Sequence, residues 1–236
     1  MDTTDYGYQT TYVAADASPE ERAAFIRRTY LHLGGAILAF IVLEWMLFQA
    51  GLPPKMMELL SVSPYSWLIV LGAFMGASWL AESMANSGAS TGMQYCGLGL
   101  YVVAEAIIFM PLLYFVAAFS SPDVIPMAAI ITLLLFGGIT FTAFSTRADF
   151  SFLGGILKIG GFVALGIIVV SIIFGFTLGL LFSSLMVIFA GACILYTTSN
   201  MIHKYNTDQH VAAALSLFAS IALMFWYLLR ILNRRD

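Results

Sequence analysis

The sequence predicts an all-α integral membrane protein, a single bundle of seven transmembrane helices. Composition is the first of three observations behind this. Of 236 residues, 61% are hydrophobic and 10% charged, and the mean hydropathy is +0.92, whereas a soluble domain carries about 25% charged residues. The second is length: a helix rising 1.5 Å per residue needs ~20 mostly apolar residues to cross a bilayer, and seven such runs fill the chain. The third is that turn chemistry separates them: Gly51-Leu52-Pro53-Pro54, Asn86-Ser87-Gly88, Ser120-Ser121-Pro122-Asp123 and Asn206-Thr207-Asp208.

The first segment, "MDTTDYGYQTTYVAADASPEERAAF", is polar and acidic. It has no basic region followed by a short apolar stretch and a cleavage site, so it does not read as a signal peptide. Residues 1–24 carry too little apolar surface to offset the entropy of ordering and are expected to form a mobile acidic tail, with the membrane domain over 25–236. Ser18-Pro19-Glu20-Glu21 reads as a helix start: a serine cap, proline at the first helical position and carboxylates in the first turn. The spans then fall at about 25–50, 66–86, 93–119, 124–145, 152–174, 177–202 and 210–231.

Orientation follows from Lys and Arg placement. Seven crossings put Arg22, Arg27, Arg28, Arg147, Lys158 and Lys204 on the N-terminal side, against Lys55, Arg230, Arg234 and Arg235 opposite. This favours a cytoplasmic N-terminus. Were 210–231 to dip in and return, nine basic residues would oppose one. Val211 to Leu229 nevertheless holds no charge over 19 residues, enough to cross. Gly72-x-x-x-Gly76 and Gly175-x-x-x-Gly179 would allow close helix packing.

Ionisable side chains within spans are costly and usually face a bundle interior or a wet cavity. Glu44, Glu82 and Lys158 lie within about two turns of helix ends and can reach the interface. Glu105, in "GLGLYVVAEAIIFMPLLYF", sits near the middle of the third span. It must be protonated, paired or hydrated, which makes it a candidate proton site. Pro111, six residues on, removes a backbone donor and can kink the helix beside a cavity.

Other chemistry is poorly supported. Gly88-Ala89-Ser90-Thr91-Gly92 fits G-x-S-x-G, but a nucleophile elbow needs a strand-to-helix turn, and here one membrane helix simply follows another. His203 and His210 border the connection between spans six and seven. There is no H-E-x-x-H, no paired intramembrane aspartates and no phosphate-binding glycine loop, so no enzyme and no cofactor are expected. Cys96 and Cys193 match no metal spacing and read as small core residues. No basic block tracks phosphates, which argues against a nucleic-acid partner.

Three stretches carry a resemblance: "FSTRADFSFLGGIL" (144–157), "ILYTTSNMIH" (194–203) and "AAALSLFASIALMFWYLLRIL" (212–232). In order, spacing and placement they resemble the Bax-inhibitor-type family of multi-span proteins, and Glu105 sits where that family often has a third-span glutamate. The run Thr198-Ser199-Asn200-x-Ile202-His203 is similar to the YccA-like bacterial branch. The resemblance implies a non-enzymatic protein of the bacterial cytoplasmic (inner) membrane that binds and modulates the membrane-bound ATP-dependent protease FtsH. It also implies an alternative, a pH-sensitive leak for calcium or protons closed by two proton-sharing aspartates in the last two spans. The matching positions here are Thr197 and Ser220, neither of which titrates or offers a divalent cation a carboxylate. His203, whose ordinary pKa is about 6.5, and Glu105 are the candidate substitutes, with Asn200 beside them.

Overall fold

The computed structural model describes residues 13–63, 65–86 and 90–233. Its helices are α1 (Pro19–Gln49), α2 (Leu52–Ser61), α3 (Ser66–Ala85), α4 (Thr91–Phe119), α5 (Val124–Thr146), α6 (Leu153–Phe174), α7 (Leu180–His203) and α8 (His210–Leu232). All but α2 are long and apolar enough to cross a membrane. They match the seven spans read from the sequence to within a few residues.

α1 begins as its sequence dictates. The Glu21 N–H donates to Ser18 Oγ at 3.3 Å and the Ser18 N–H to Glu21 Oε2 at 3.1 Å, a reciprocal capping box. Residues 1–12 of the expected tail lie outside the described residues, but from Val13 onward the chain is tied down. Val13 pairs with Asn206, the Ala14 N–H donates to the Tyr205 carbonyl at 2.8 Å, and Arg22 donates to the Ala14 and Ala15 carbonyls at 2.8 and 2.7 Å. Ala14 is fully buried. Backbone pairing with the α7–α8 loop therefore supplies the ordering that side chains 13–18 could not, and it puts the start of α1 on the same side as that loop.

The short helix α2 has no counterpart in the sequence reading, which ended at the Gly51-Leu52-Pro53-Pro54 turn. Gly51, in the left-handed region (φ 66), redirects the chain, and proline at the first turn starts α2. Pro53 and Leu60 are buried while Lys55 and Glu58 stay exposed, so α2 lies as an amphipathic cover at the end of α1.

α8 is the axis of the bundle. It is one unbroken helix of 23 residues, ~34 Å long at 1.5 Å per residue, and 72% of its most apolar window is buried. It packs against α1, α3, α4, α5 and α7. Phe109 of α4 stacks on Phe225 at 5.8 Å and meets Trp226 edge-on at 5.0 Å, and Phe40 of α1 closes on Phe109 at 5.3 Å. A helix so enclosed, unbroken over 23 residues and apolar enough to cross a membrane, fits a full span and not a shallow dip and return. The outer helices present apolar side chains outward instead, as with Phe141, Phe162, Phe174 and Leu181, all more than two-thirds exposed. Such a surface needs lipid as its solvent.

The closest helix approach is not at the G-x-x-x-G pairs. A Cβ on Gly72 or Gly76 would meet nothing within 4 Å, and Gly175 closes α6 at φ 69. At Gly97, by contrast, a Cβ would lie 2.6 Å from the Ala81 carbonyl oxygen and 2.8 Å from the Ala85 nitrogen. Only glycine lets α4 lie this close against the end of α3. Gly97→Ala is therefore expected to force these helices apart and cost about 1–3 kcal/mol, whereas Gly99→Ala, facing open space, changes stability by less than about 1 kcal/mol in either direction. Thermal unfolding of both variants in the same mild detergent measures the contrast.

Candidate functional site

The polar end of α7 is built into the fold residue by residue. Ser199, fully buried, accepts the Phe150 N–H at 2.9 Å and donates to the Ala148 carbonyl at 3.3 Å. One hydroxyl thus staples the α5–α6 connection to α7. That connection starts at Arg147, the one described non-glycine residue with positive φ (51°), a left-handed helix end that costs about 1–3 kcal/mol unless its surroundings fix it. The Ser199 bonds supply such fixing. His203 Nδ1 lies 3.0 Å from the Ser199 carbonyl; since a carbonyl only accepts, Nδ1 carries the proton and Nε2 remains free for other partners.

Asp149, exposed in this connection, lies within electrostatic range of His203 and Lys204. The Ser151 backbone N–H, and after it the Ser151 side chain, hold its carboxyl below the usual carboxylate range. Its contribution to stability is thus present above its unfolded value of about 3.9 and fades only as pH falls through the lower folded value. Asp149 does not respond between pH 5 and 8. Tyr205, in the α7–α8 loop, lies with its hydroxyl 3.4 Å from Ser216 Oγ, and burial pushes that hydroxyl above its ordinary value, so it too stays neutral there.

Thr197 and Thr198 diverge in role. The Thr198 hydroxyl faces that of Tyr30 on α1, which also faces Thr140 on α5, and all three oxygens are sealed from the surface. Thr197 is buried, as is Ser220, but the Ser220 hydroxyl donates to the Ser216 carbonyl of its own helix at 2.9 Å. The Ser220 proton is therefore directed to its own helix and not to Thr197 across α7 and α8. Asn200 is buried with its Oδ1 unpartnered, and its backbone carbonyl accepts the Lys204 and Tyr205 N–H groups at 2.7 and 2.9 Å, closing α7.

Glu105 is buried in α4, with the Tyr101 hydroxyl presented to its carboxyl one turn away. Tyr101 also faces Ser78 on α3, and Glu82 lies within electrostatic range of both Tyr101 and Tyr205. Polar side chains therefore descend from the middle of the bundle towards the N-terminal side: Glu105, Tyr101, Ser78 with Glu82, Tyr205, Ser216. Glu82 is exposed at the end of α3, and Lys158 is exposed near the start of α6, where both reach the interface. Glu44 behaves otherwise: it is buried with neither carboxyl oxygen hydrogen-bonded. It stands one turn from both Phe40 and Phe48, which pack on Phe109 and Tyr114 of α4, so its helical phase turns it inward and prevents it from reaching water.

Of the G-x-S-x-G residues, Gly88 and Ala89 lie outside the described residues. Ser90 is the N-cap of α4, its Oγ accepting the Met93 N–H at 3.2 Å, which engages the oxygen a nucleophile would need. Among the described residues no three His, Cys, Asp or Glu side chains gather as metal ligands. The participants that the sequence reading missed are Tyr30, Thr140, Tyr101 and Tyr205. Only Tyr101 left a signal, its i, i+4 spacing to Glu105.

Comparison with known proteins follows the same outline. The family model described as "Inhibitor of apoptosis-promoting Bax1" matches residues 22–236. An uncharacterized protein of Pseudomonas aeruginosa is 30% identical over 226 residues, covering 92% of each chain. The Escherichia coli protein "Modulator of FtsH protease YccA" is 32% identical over 174 residues, 72% of this chain and 76% of that one. "Protein LIFEGUARD 4" of Arabidopsis thaliana is 28% identical over 237 residues, 98% of this chain and 92% of the relative.

Removing the Ser199 hydroxyl should release the α5–α6 connection. Ser199→Ala is expected to lose roughly 1–2 kcal/mol of stability and to raise amide exchange at Phe150 and its neighbours, while Asp149→Asn leaves the pH dependence of stability between pH 5 and 8 unchanged. Hydrogen exchange and thermal scans in detergent check both.

Proposed function

The chain belongs to the Bax inhibitor family, and from that premise we propose that it is a non-enzymatic regulator in a bacterial inner membrane that binds and modulates an FtsH-type membrane protease. The observation carrying this reading is the likeness to the E. coli modulator of FtsH, 32% identical over 72% of this chain. The same E. coli relative, in a second strain, is named an inner membrane protein, and the excess of basic residues on the N-terminal side supports a cytoplasmic N-terminus. The polar groups at the end of α7 suit a regulator. Ser199 and His203 are committed to internal bonds and the Asn200 backbone carbonyl closes α7, which holds the α5–α6 connection against the end of α7, on the side where an ATP-dependent protease works.

One arrangement favours a second reading, a proton-linked leak. Glu105 in mid-membrane, Tyr101, Glu82 and Tyr205 form a descending series of groups able to pass or attract a proton. The positions matching the family's acidic pair, Thr197 and Ser220, add no titratable group to it, so any pH response of the leak falls on Glu105 and its neighbours.

Co-purification of the full-length chain with FtsH from mild detergent tests the first reading. Recovery of FtsH at several times the level found with an unrelated seven-span protein is expected, and background recovery would overturn the proposal. Flux into proteoliposomes at pH 6 and pH 8 tests the second: a leak through this series drops at least tenfold in Glu105→Gln, while equal flux in the two proteins removes Glu105 from it. Absence of calcium flux at both pH values eliminates the calcium version.

A further inference from the structure

Between α1 and α4 runs an open groove of about 620 Å³. Its floor is made of small residues, Gly35 and Ala39 on α1 and Gly99 on α4, with Val103 beside them. At its end towards the N-terminal side stand His32 and Tyr95. The two rings stack at 5.3 Å between centroids, with His32 Nε2 3.0 Å from the Tyr95 hydroxyl. His32 Nδ1 lies 2.6 Å from the Arg28 carbonyl, so Nδ1 carries a proton and, in the neutral ring, Nε2 accepts from Tyr95. The Tyr95 oxygen keeps its acceptor capacity, and the residue is 45% exposed. Arg28, exposed and one turn before His32 on α1, lies just beyond this end of the groove and follows Arg27.

The groove has the dimensions of one lipid tail. From Leu31 to Leu43 it follows α1 for ~18 Å at 1.5 Å per residue, close to one leaflet's ~15 Å share of the hydrocarbon core. A crossing partner helix would need contact over about twice that depth. One end is polar, with the Arg28 cation one turn beyond it, and the other is lined by aliphatic side chains, which is the polarity of an anionic amphiphile lying in a single leaflet. Acyl chains are as apolar as the groove, so transfer from bulk lipid brings no hydrophobic gain. What selects an occupant is filling of space that would otherwise lack contact partners and attraction of an anionic headgroup to interfacial arginine.

We propose that the α1/α4 groove is a binding site for an anionic phospholipid, its phosphate beside Arg28 and the His32–Tyr95 pair and one acyl chain along Gly35, Ala39, Gly99 and Val103. His210, the first residue of α8, meets the His32 ring at 4.9 Å, so an occupied groove would brace α1 and α4 against the central helix at its entry. Nothing assigned to the family's acidic positions is needed for this site.

The glycines make the test clean. A Cβ on Gly35 or Gly99 would meet nothing within 4 Å, so Gly35→Leu and Gly99→Leu fill the groove without disturbing helix contacts. The full-length chain and each variant are reconstituted in bilayers of four parts phosphatidylcholine to one part phosphatidylglycerol, with a trace of chain-spin-labelled phosphatidylglycerol or phosphatidylcholine. The natural chain should immobilise labelled phosphatidylglycerol several-fold more than labelled phosphatidylcholine. Each leucine variant should lose at least fivefold of that immobilised signal with unchanged thermal unfolding, and Arg28→Gln should abolish the headgroup preference while the chain-immobilised component persists. Equal immobilisation of the two lipids by the natural chain, an undiminished signal in both leucine variants, or a groove filled instead by a second copy, seen as a dimer that Gly99→Leu dissolves, would each overturn the proposal.

Discussion

A bilayer offers no hydrogen-bonding solvent, and this absence governs nearly every feature of the molecule. Backbone groups must be answered inside each helix, which fixes the helical architecture, and any side-chain polarity must be answered by another element of the bundle or led to an interface. α8 meets the constraint most completely. It is enclosed by five other helices, and the Ser220 hydroxyl turns back on its own backbone at Ser216. Once α8 is central, the aromatic layer of Phe109, Phe225 and Trp226 and the close seating of α4 on α3 at Gly97 set the positions of the neighbours around it.

The same constraint separates what was legible in the sequence from what was not. The seven spans were, because length and apolarity are properties of single segments and lipid demands them of each segment separately. α2 was not: an amphipathic helix of ten residues is too short for the span criterion, and its proline start was read as the turn it also makes. Glu44 shows a second kind of limit. Distance from a helix end suggested an interfacial side chain, yet rotational phase decides burial, and phase shows only once Phe40 and Phe48 are known to face α4. Glycines erred in the same way. Their spacing in G-x-x-x-G pairs is visible in sequence, but whether another backbone lies opposite is a property of the partner helix, and it lies opposite Gly97 alone of the three interior positions compared here, Gly72, Gly76 and Gly97.

The candidate site divides along a similar line. Five polar residues at the end of α7 first suggest a common purpose, but their neighbours give them different tasks: Ser199 staples a loop, Thr198 joins the hydroxyls of Tyr30 and Thr140, and the Asn200 backbone closes the helix. Residue type alone could not have divided them, because the partners of Ser199 and Thr198 lie about 50 to 170 positions away in sequence. Glu105 was legible for the opposite reason. A carboxyl in mid-span is exceptional whatever surrounds it, and the structure needed only to add Tyr101.

What distinguishes this chain within its architecture is where its protonatable groups stand. Thr197 near the end of α7 and Ser220 in the middle of α8 put no titratable group at these two positions of the central helix pair. A threonine and a serine can change partners but cannot change charge, so packing of α7 on α8 has no reason to respond to pH through them. Titratable groups stand elsewhere: Glu105 on α4, Glu44 on α1 facing α4, His203 at the end of α7, and the His32 and His210 rings where α1 meets the start of α8. All but His203 sit on or touch α4 or α1, the two helices that also wall the open groove. A change of charge at Glu105, Glu44, His32 or His210 would therefore act on the seating of α1 and α4 around α8.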